Sequence, residues 1–207
     1  FADIVGFTRL SESIAPDAVA ELLNAYFDAI SMAATFYRGT IDKYMGDCAM
    51  IVFGVPEDDS EHAYHGLCCA VMIQRLVERL NLLRSRRGLT TVNFRIGINA
   101  GTMLAGNLGS HDRMQYTVVG DAVNLASRLS NMANGGEVVA SEDMVSNANI
   151  RSRVRLRQSG AMRVRGRSES VNTFIVEGVH AQSETLMEQR IASFINQLMD
   201  APRRAVE

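Results

Sequence analysis

Apolar residues recur every three or four positions in three segments of the chain, which predicts three amphipathic helices. The first begins at Pro16 and closes at Gly39, because glycine is favoured just beyond the end of a helix. The second runs from about Ser60 to Arg87. The third covers residues 184–200, after a predicted linker at 180–183, and the sequence does not decide whether it packs on its own domain or on a partner.

Short apolar runs bounded by Gly, Asn and Asp predict the strands. Residues 1–5 are typical of the end of a buried strand, and residues 40–53 predict a β-hairpin with its turn at Met45-Gly46-Asp47. Strands that alternate with helices and hairpins favour an α+β sandwich over a fully parallel sheet. The remaining predicted elements are strands at 92–99, 115–119 and 138–140, β-structure within 151–178, a Gly-rich passage at 101–109, a helix from Gly120-Asp121 to about Asn131, and a short helix capped by Ser141.

The length of 207 residues predicts one domain, or one domain with an appendage. The formal net charge is −2, and no apolar stretch approaches the ~20 residues of a membrane span. The three cysteines form no metal-binding spacing, which favours a reducing compartment and predicts a cytoplasmic catalytic domain. Because the chain opens inside a predicted strand, we interpret it as a piece of a longer protein. We therefore expect an upstream sensor or membrane domain outside this chain.

Two polar clusters have both a structural and a functional interpretation. Alternating arginines share one face of a predicted strand, but the balanced charge favours a solvated strand, and we expect no nucleic-acid partner. His62 and His65 follow a group of acids that could bind a metal, although acids before a helix more often cap it. The arginines are Arg151, Arg153, Arg155 and Arg157.

Lys43 is the only lysine among the 21 basic residues. Lysine and arginine are not interchangeable where a compact point charge must fit a tight site. Lys43 also stands four residues before Asp47, across a glycine turn, and this setting favours a functional role over a solvated surface lysine.

Asp3 and Asp47 each stand at the end of a predicted strand. Mg²⁺ prefers oxygen ligands and needs only one or two protein carboxylates when substrate phosphates complete its shell. Two such ions, roughly 3.5–4 Å apart, can activate an attacking oxygen and neutralise a leaving phosphate. Taken alone, each aspartate is more often a cap or a turn residue.

Asn124 and Arg128 are four positions apart on a predicted helix and so share a face. An amide and a guanidinium on one face can hold a sugar oxygen and stabilise charge on a phosphoryl group. A surface hydrogen bond between the two is an equally good interpretation of the pair alone.

Together these segments resemble the catalytic domain of class III adenylyl cyclases, over about residues 1–178. The resemblance implies a ferredoxin-like class III cyclase sandwich with a mainly antiparallel central sheet, followed by a linker and an amphipathic helix over 179–207. The matching segments, in the family's order, are FADIVGFT, IDKYMGD, FRIGINAGTMLAGNLG and QYTVVGDAVNLASRL.

The resemblance also implies residue roles. Asp3 and Asp47, helped by the backbone carbonyl of Ile4, would bind two Mg²⁺ or Mn²⁺ ions per active site. Lys43 and Thr117 would read the base.

The remaining roles concern the sugar and the phosphates. Asn124 would orient the ribose, and Arg128 would stabilise the transition-state phosphate. Phe7 and Thr8 would contact the triphosphate through their backbone. Arg165 stands where the family has a lysine that contacts the terminal phosphates, a departure that keeps the charge.

The base-reading pair favours ATP as substrate. Lys43 can donate to N1 of adenine and the Thr117 hydroxyl can accept from its 6-amino group, whereas guanine reverses both polarities. A cyclase for GTP would be expected to carry an acid in place of Lys43. With a threonine at position 117, where many relatives have an aspartate, the chain resembles the branch of the family called class IIIb. The alternatives are a guanylyl cyclase and a catalytically silent nucleotide-binding domain.

In this family, the metal acids and base-reading residues of one active site come from opposite subunits. This chain contains both sets. The resemblance therefore implies a head-to-tail homodimer with two equivalent sites, in which a lone monomer is inactive.

Overall fold

The computed structural model describes residues 1–147, 149–163 and 170–200. Seven strands form one sheet in the order β2-β3-β1-β4-β7-β9-β8, and β5 and β6 form a separate hairpin. The strands are β1 (Ala2–Ile4), β2 (Gly39–Met45), β3 (Cys48–Phe53), β4 (Phe94–Ile98), β5 (Leu104–Ser110), β6 (Arg113–Val119), β7 (Val138–Ser141), β8 (Val154–Arg163) and β9 (Ser170–Val179). The helices are α1 (Phe7–Ser13), α2 (Pro16–Phe36), α3 (His62–Arg86), α4 (Asp121–Met132), α5 (Glu142–Val145), α6 (Ile150–Arg153) and α7 (Ala181–Asp200).

The sheet is mixed but mainly antiparallel, because among the described strands only the β4–β7 pair runs parallel. Strand alternation divides its two faces: Val138 and Ala140 of β7 join the large core, whereas Val139 joins a second cluster with Leu125 and Leu129 of α4. Helices α2, α3 and α7 therefore cover one face, and α4 covers the other. The predicted α+β class is confirmed.

The tail helix packs on its own domain, which answers the question that the sequence left open. Met187 and Ile191 of α7 are buried in the main core, and Phe194 meets the Phe36 ring of α2 edge-on at 6.1 Å. Arg75 of α3 forms salt bridges with Glu184 and Glu188, which both belong to α7. Among the described helices, none is both long and apolar enough to cross a membrane.

The end of α2 differs from its prediction. The helix stops at Phe36, and Arg38, not Gly39, takes the left-handed conformation with φ 59°. Gly39 instead begins β2, where an added Cβ would lie 2.6 Å from the ring of Phe53. The glycine is thus required by close packing between strands rather than by the helix end.

Four other local features differ from the sequence predictions. No strand was predicted in the Gly-rich passage at 101–109, yet Leu104–Ser110 form β5, because each residue of this strand pairs with one of β6 and this pairing overrides the weak strand preference of glycine. The predicted linker at 180–183 lies almost entirely inside α7. Helix α1 was not predicted, since it is short and buries no residue fully. Helix α6 occupies the start of the β-region that was predicted at 151–178. Residues 164–169 of that region lie outside the described residues.

Candidate active site

Asp3 and Asp47 come together at one edge of the sheet. Strand β1 lies between β3 and β4, and its register places Asp3 opposite Cys48, the residue that follows Asp47. Gly46, with φ 63°, makes the tight turn that brings Asp47 back beside β1. The side chain of Ile4 is buried, so this residue offers only its backbone to the edge.

The electrostatics of this edge fit a cation. Burial raises the pKa of Asp47 above its ordinary value, and the negative charge of Asp3 raises it further, while Arg95 and a backbone hydrogen bond to Ile4 oppose the shift. Two neighbouring carboxylates repel one another, and a divalent ion bound between them would remove that repulsion. Hard carboxylate oxygens are the ligands that Mg²⁺ and Mn²⁺ prefer. Within the described part of the chain, no group of three or more His, Cys, Asp or Glu is placed to hold a metal.

Arg95 of β4 already contacts this edge. Its Nε and Nη2 both donate to Oδ2 of Asp3, at 2.8 and 2.6 Å. Its Nη2 also donates to Oδ1 of Asn131, near the end of α4, at 2.9 Å. Arg95 therefore holds Asp3 in place through one oxygen and links it to α4.

Lys43 and Thr117 also meet, although 74 residues separate them. Lys43 Nζ donates to Thr117 Oγ1 at 3.0 Å. A third residue, Asp42, completes the group: its Oδ2 accepts from Thr117 Oγ1 at 2.9 Å and lies 3.1 Å from Lys43 Nζ. These three residues are called the base cluster below.

A β-bulge makes the base cluster possible. The register of β2 against β3 shifts between Ile41 and Lys43, so Asp42 is the extra residue in the strand. In a regular strand, neighbouring residues point to opposite faces, and Asp42 and Lys43 could not both reach Thr117. Thr117 itself lies on β6, a strand of the separate β5–β6 hairpin that packs against β2.

Helix α4 presents Asn124 and Arg128 together. The helix begins after Gly120 and buries Leu125 and Leu129 against the sheet. Asn124 and Arg128 are exposed on another side of the same helix, so the predicted shared face is confirmed.

The predicted phosphate contacts have less structural support. Helix α1 begins at Phe7, directly after Gly6 in the left-handed conformation. Phe7 packs partly on the core and Thr8 is exposed, so their contacts to a triphosphate stay predictions. Arg165 lies outside the described residues.

Comparison with known proteins now decides the family. The model of the adenylate and guanylate cyclase catalytic domain matches residues 1–178. The chain belongs to this family. Adenylate cyclase 1 of Rhizobium meliloti is 36% identical over 181 residues, which are 86% of this chain and 27% of that relative, so the chain spans about a quarter of its length.

Two solved cyclase structures share the fold. The adenylyl cyclase CyaB from P. aeruginosa superposes with a TM-score of 0.80 at 36% identity, over 84% of this chain and 90% of that chain. The guanylyl cyclase Cya2 superposes with a TM-score of 0.79 at 32% identity, over 86% of this chain and 90% of that chain. The cyclase fold is therefore shown, but overall likeness does not separate an adenylyl from a guanylyl cyclase.

Two contacts of this cyclase domain were missed by the sequence interpretation. Asp42 stands next to Lys43, and the alternation of a regular strand would place the two side chains on opposite faces. The bulge at Asp42 instead turns both toward Thr117. Arg95 pairs in register with Asp3 across β1 and β4, a fact that needs the strand order. The position of Asp42 beside Lys43 was the one signal in the sequence that could have indicated its role, and no such signal pointed to Arg95.

The two other polar clusters have structural roles. Asp59 accepts from the backbone N–H of Glu61 and pairs with His65 Nδ1 at 2.7 Å, but Glu61, the residue that precedes α3, makes no side-chain capping hydrogen bond, so the capping interpretation stays a prediction. The arginines of the predicted strand each pair with a glutamate of the same chain, which supports the solvated interpretation. Their pairs are Arg151–Glu142, Arg153–Glu61, Arg155–Glu184 and Arg157–Glu177.

Proposed function

We propose that this cyclase domain converts ATP to 3′,5′-cyclic AMP and pyrophosphate. The ribose 3′-oxygen attacks the α-phosphorus in line, a new P–O bond forms, and the bond from the α-phosphorus to the bridging oxygen of the pyrophosphate breaks. The proton of the 3′-hydroxyl leaves to solvent. The observation that carries the choice of ATP is the contact between Lys43 Nζ and Thr117 Oγ1.

Lys43 and Thr117 would read the edge of the purine. Nζ of Lys43 donates to the adenine N1, and Oγ1 of Thr117 accepts from the 6-amino group. Guanine would place its N1–H against the ammonium, and a buried donor that faces a donor costs about 1–3 kcal/mol. This cost favours ATP over GTP by about 5- to 150-fold.

Asp3, Asp47 and the backbone carbonyl of Ile4 would hold two Mg²⁺ or Mn²⁺ ions. When bound, these ions supply Lewis-acid stabilisation of the attacking oxygen and of the triphosphate. Arg95 keeps one oxygen of Asp3 fixed and leaves the other for a ligand.

Asn124 and Arg128, the exposed pair that we call the α4 face, would act on the sugar and on the reacting phosphate. Asn124 orients the ribose so that its 3′-oxygen lies in line, and Arg128 stabilises the charge on the α-phosphoryl group as the bond breaks. Backbone groups of Phe7 and Thr8, together with Arg165, contact the remaining phosphates.

We infer that the active unit is a head-to-tail homodimer, in which the metal acids of one subunit face the base cluster and α4 of the other. A second copy is supported by large apolar side chains that are exposed on the two hairpins: Tyr44, Met45, Leu104, Met114, Tyr116 and Val119. The catalytic domain would act in the cytoplasm, in a longer protein with an upstream sensor or membrane domain.

A guanylyl cyclase is the alternative, because Cya2 is nearly as similar to the chain as CyaB. Lys43 argues against it, since the guanine edge needs an acceptor at that position.

A direct assay tests the proposal. The purified chain is incubated with Mn²⁺ and either ATP or GTP, and the cyclic nucleotide is quantified. Cyclic AMP formed in preference to cyclic GTP is the expected result. A preference for GTP would establish the alternative, and the absence of either product would refute an active cyclase.

A further inference from the structure

The side chain of Asp42 is placed where it controls both base-reading groups. Only 5% of it is exposed, against 29% for Lys43, although both belong to the same strand. Its Oδ2 accepts the Thr117 hydroxyl proton at 2.9 Å and lies 3.1 Å from Lys43 Nζ. The β-bulge that turns Asp42 toward this position leaves the residue without a partner in the β2–β3 register.

The hydrogen-bond polarity of the base cluster follows from its protons. A threonine hydroxyl has one proton and two lone pairs, whereas an ionised carboxylate only accepts. The Thr117 proton points to Asp42, and one lone pair of Oγ1 receives a proton of Lys43. The hydroxyl can therefore only accept from a further group.

The ammonium is restricted in the same way. Lys43 Nζ has three N–H donors. One faces Asp42 and one faces Thr117, so a single donor remains for a ligand. The cluster thus offers a ligand one acceptor beside one donor, the complement of the 6-amino group and N1 of adenine.

We propose that Asp42 is a positioning residue that sets the substrate preference of this cyclase, by fixing the Thr117 hydroxyl as an acceptor. The proposal rests on the proposed base-reading role of Lys43 and Thr117. Without Asp42, the Thr117 hydroxyl rotates and donates its proton to a 6-oxo group, and purines of the guanine type become acceptable at that position.

The test compares ATP with inosine triphosphate (ITP), which carries a 6-oxo group but lacks the 2-amino group of guanine. The Asp42→Ala variant should raise the ITP/ATP ratio of kcat/KM by about tenfold. Asp42→Asn should stay closer to the wild type, since the ammonium of Lys43 keeps the amide oxygen turned toward the cluster. Asp17→Ala, which removes an exposed acid of α2, serves as a matched control and should leave the ratio unchanged.

A double variant shows whether Asp42 acts through Thr117. In a Thr117→Ala background, Asp42→Ala should no longer change the ITP/ATP ratio, because no hydroxyl remains to be oriented. An equal loss with both nucleotides in Asp42→Ala would mean that the residue is only structural and would overturn the proposal, as would an unchanged ratio in a variant that keeps its fold by circular dichroism.

The dissociation constants of ATP and ITP give a second readout that needs no turnover. Their ratio should shift in the same direction in Asp42→Ala, and an unshifted ratio would overturn the proposal. A wild-type chain that binds both nucleotides but cyclises neither would refute the proposed activity alone, while the binding ratio still tests Asp42.

Discussion

The base cluster and the α4 face differ in how completely one chain builds them. Asp42, Lys43 and Thr117 are joined by three contacts within a single subunit, and Thr117 is only 8% exposed. Asn124 and Arg128 instead lie exposed on the helix surface. In the proposed mechanism, the base-reading groups are therefore preorganised within one chain, whereas Asn124 and Arg128 would need a ligand, and a second subunit, to bring them into a site.

The largest effect should come from the carboxylate pair of Asp3 and Asp47, because Asp47 is a proposed metal ligand that follows Lys43 by only four residues. Asp47→Ala should lower kcat by about a thousandfold, roughly 4 kcal/mol, because one of the two carboxylates proposed to bind the ions is lost. The ratio of the dissociation constants for ATP and GTP should not change, because Lys43 and Thr117 remain. Steady-state kinetics and nucleotide titration measure the two quantities separately.

The exposed acid Asp17 again provides the control for this variant. Asp17→Ala should keep both kcat and the nucleotide ratio of the wild type. An Asp47→Ala chain that retained its turnover would argue against the proposed metal role, and one with a changed ATP/GTP preference would show that Asp47 and the base cluster do not act separately.

A slightly smaller loss is expected on the α4 face. Arg128→Ala should lower kcat by about 10²–10³-fold, the usual cost of removing one donor to a developing charge. Mixing equal amounts of Arg128→Ala and Asp47→Ala chains should restore about a quarter of the wild-type activity, since half of the dimers would be mixed and each would hold one intact site. Cyclic AMP production by the mixture, compared with each variant alone, measures this recovery, and no recovery would argue against shared sites.

The sequence predicts these two regions unequally well. The shared face of Asn124 and Arg128 follows from helical spacing alone, and the structure confirms it. The base cluster does not follow, because a bulge at Asp42 breaks the alternation that a strand prediction assumes. Its third member, Thr117, comes from a separate hairpin whose first strand is rich in glycine and was not predicted as a strand.

The same contrast holds for the fold. Long helices such as α3 were predicted within about two residues, since many apolar positions determine each one. The position of Arg95 against Asp3 depends on the order of strands in the sheet, which local patterns do not contain. Local periodicity thus predicts the elements, and tertiary pairing places the polar side chains.

Helix α7 offers a structural baseline away from both regions. Met187→Ala should lower the free energy of unfolding by about 2–5 kcal/mol, because it opens a cavity in the core at a side chain that is 0% exposed. The preceding residue, Leu186, is 53% exposed, and Leu186→Ala should change that free energy by less than about 0.5 kcal/mol. Urea unfolding measures both variants, and equal effects would show that α7 does not pack as described.

The smallest expected change tests why the chain uses a lysine in the base cluster. In Lys43→Arg the charge is kept, but the planar guanidinium can pair with Asp42 through two parallel hydrogen bonds. The carboxylate would then be occupied by arginine, and the Thr117 hydroxyl would lose its fixed acceptor. We expect kcat/KM for ATP to fall about tenfold while kcat/KM for GTP stays nearly constant. If both nucleotides lost activity equally, the ammonium would contribute charge alone, and the base preference would have to arise elsewhere in the site.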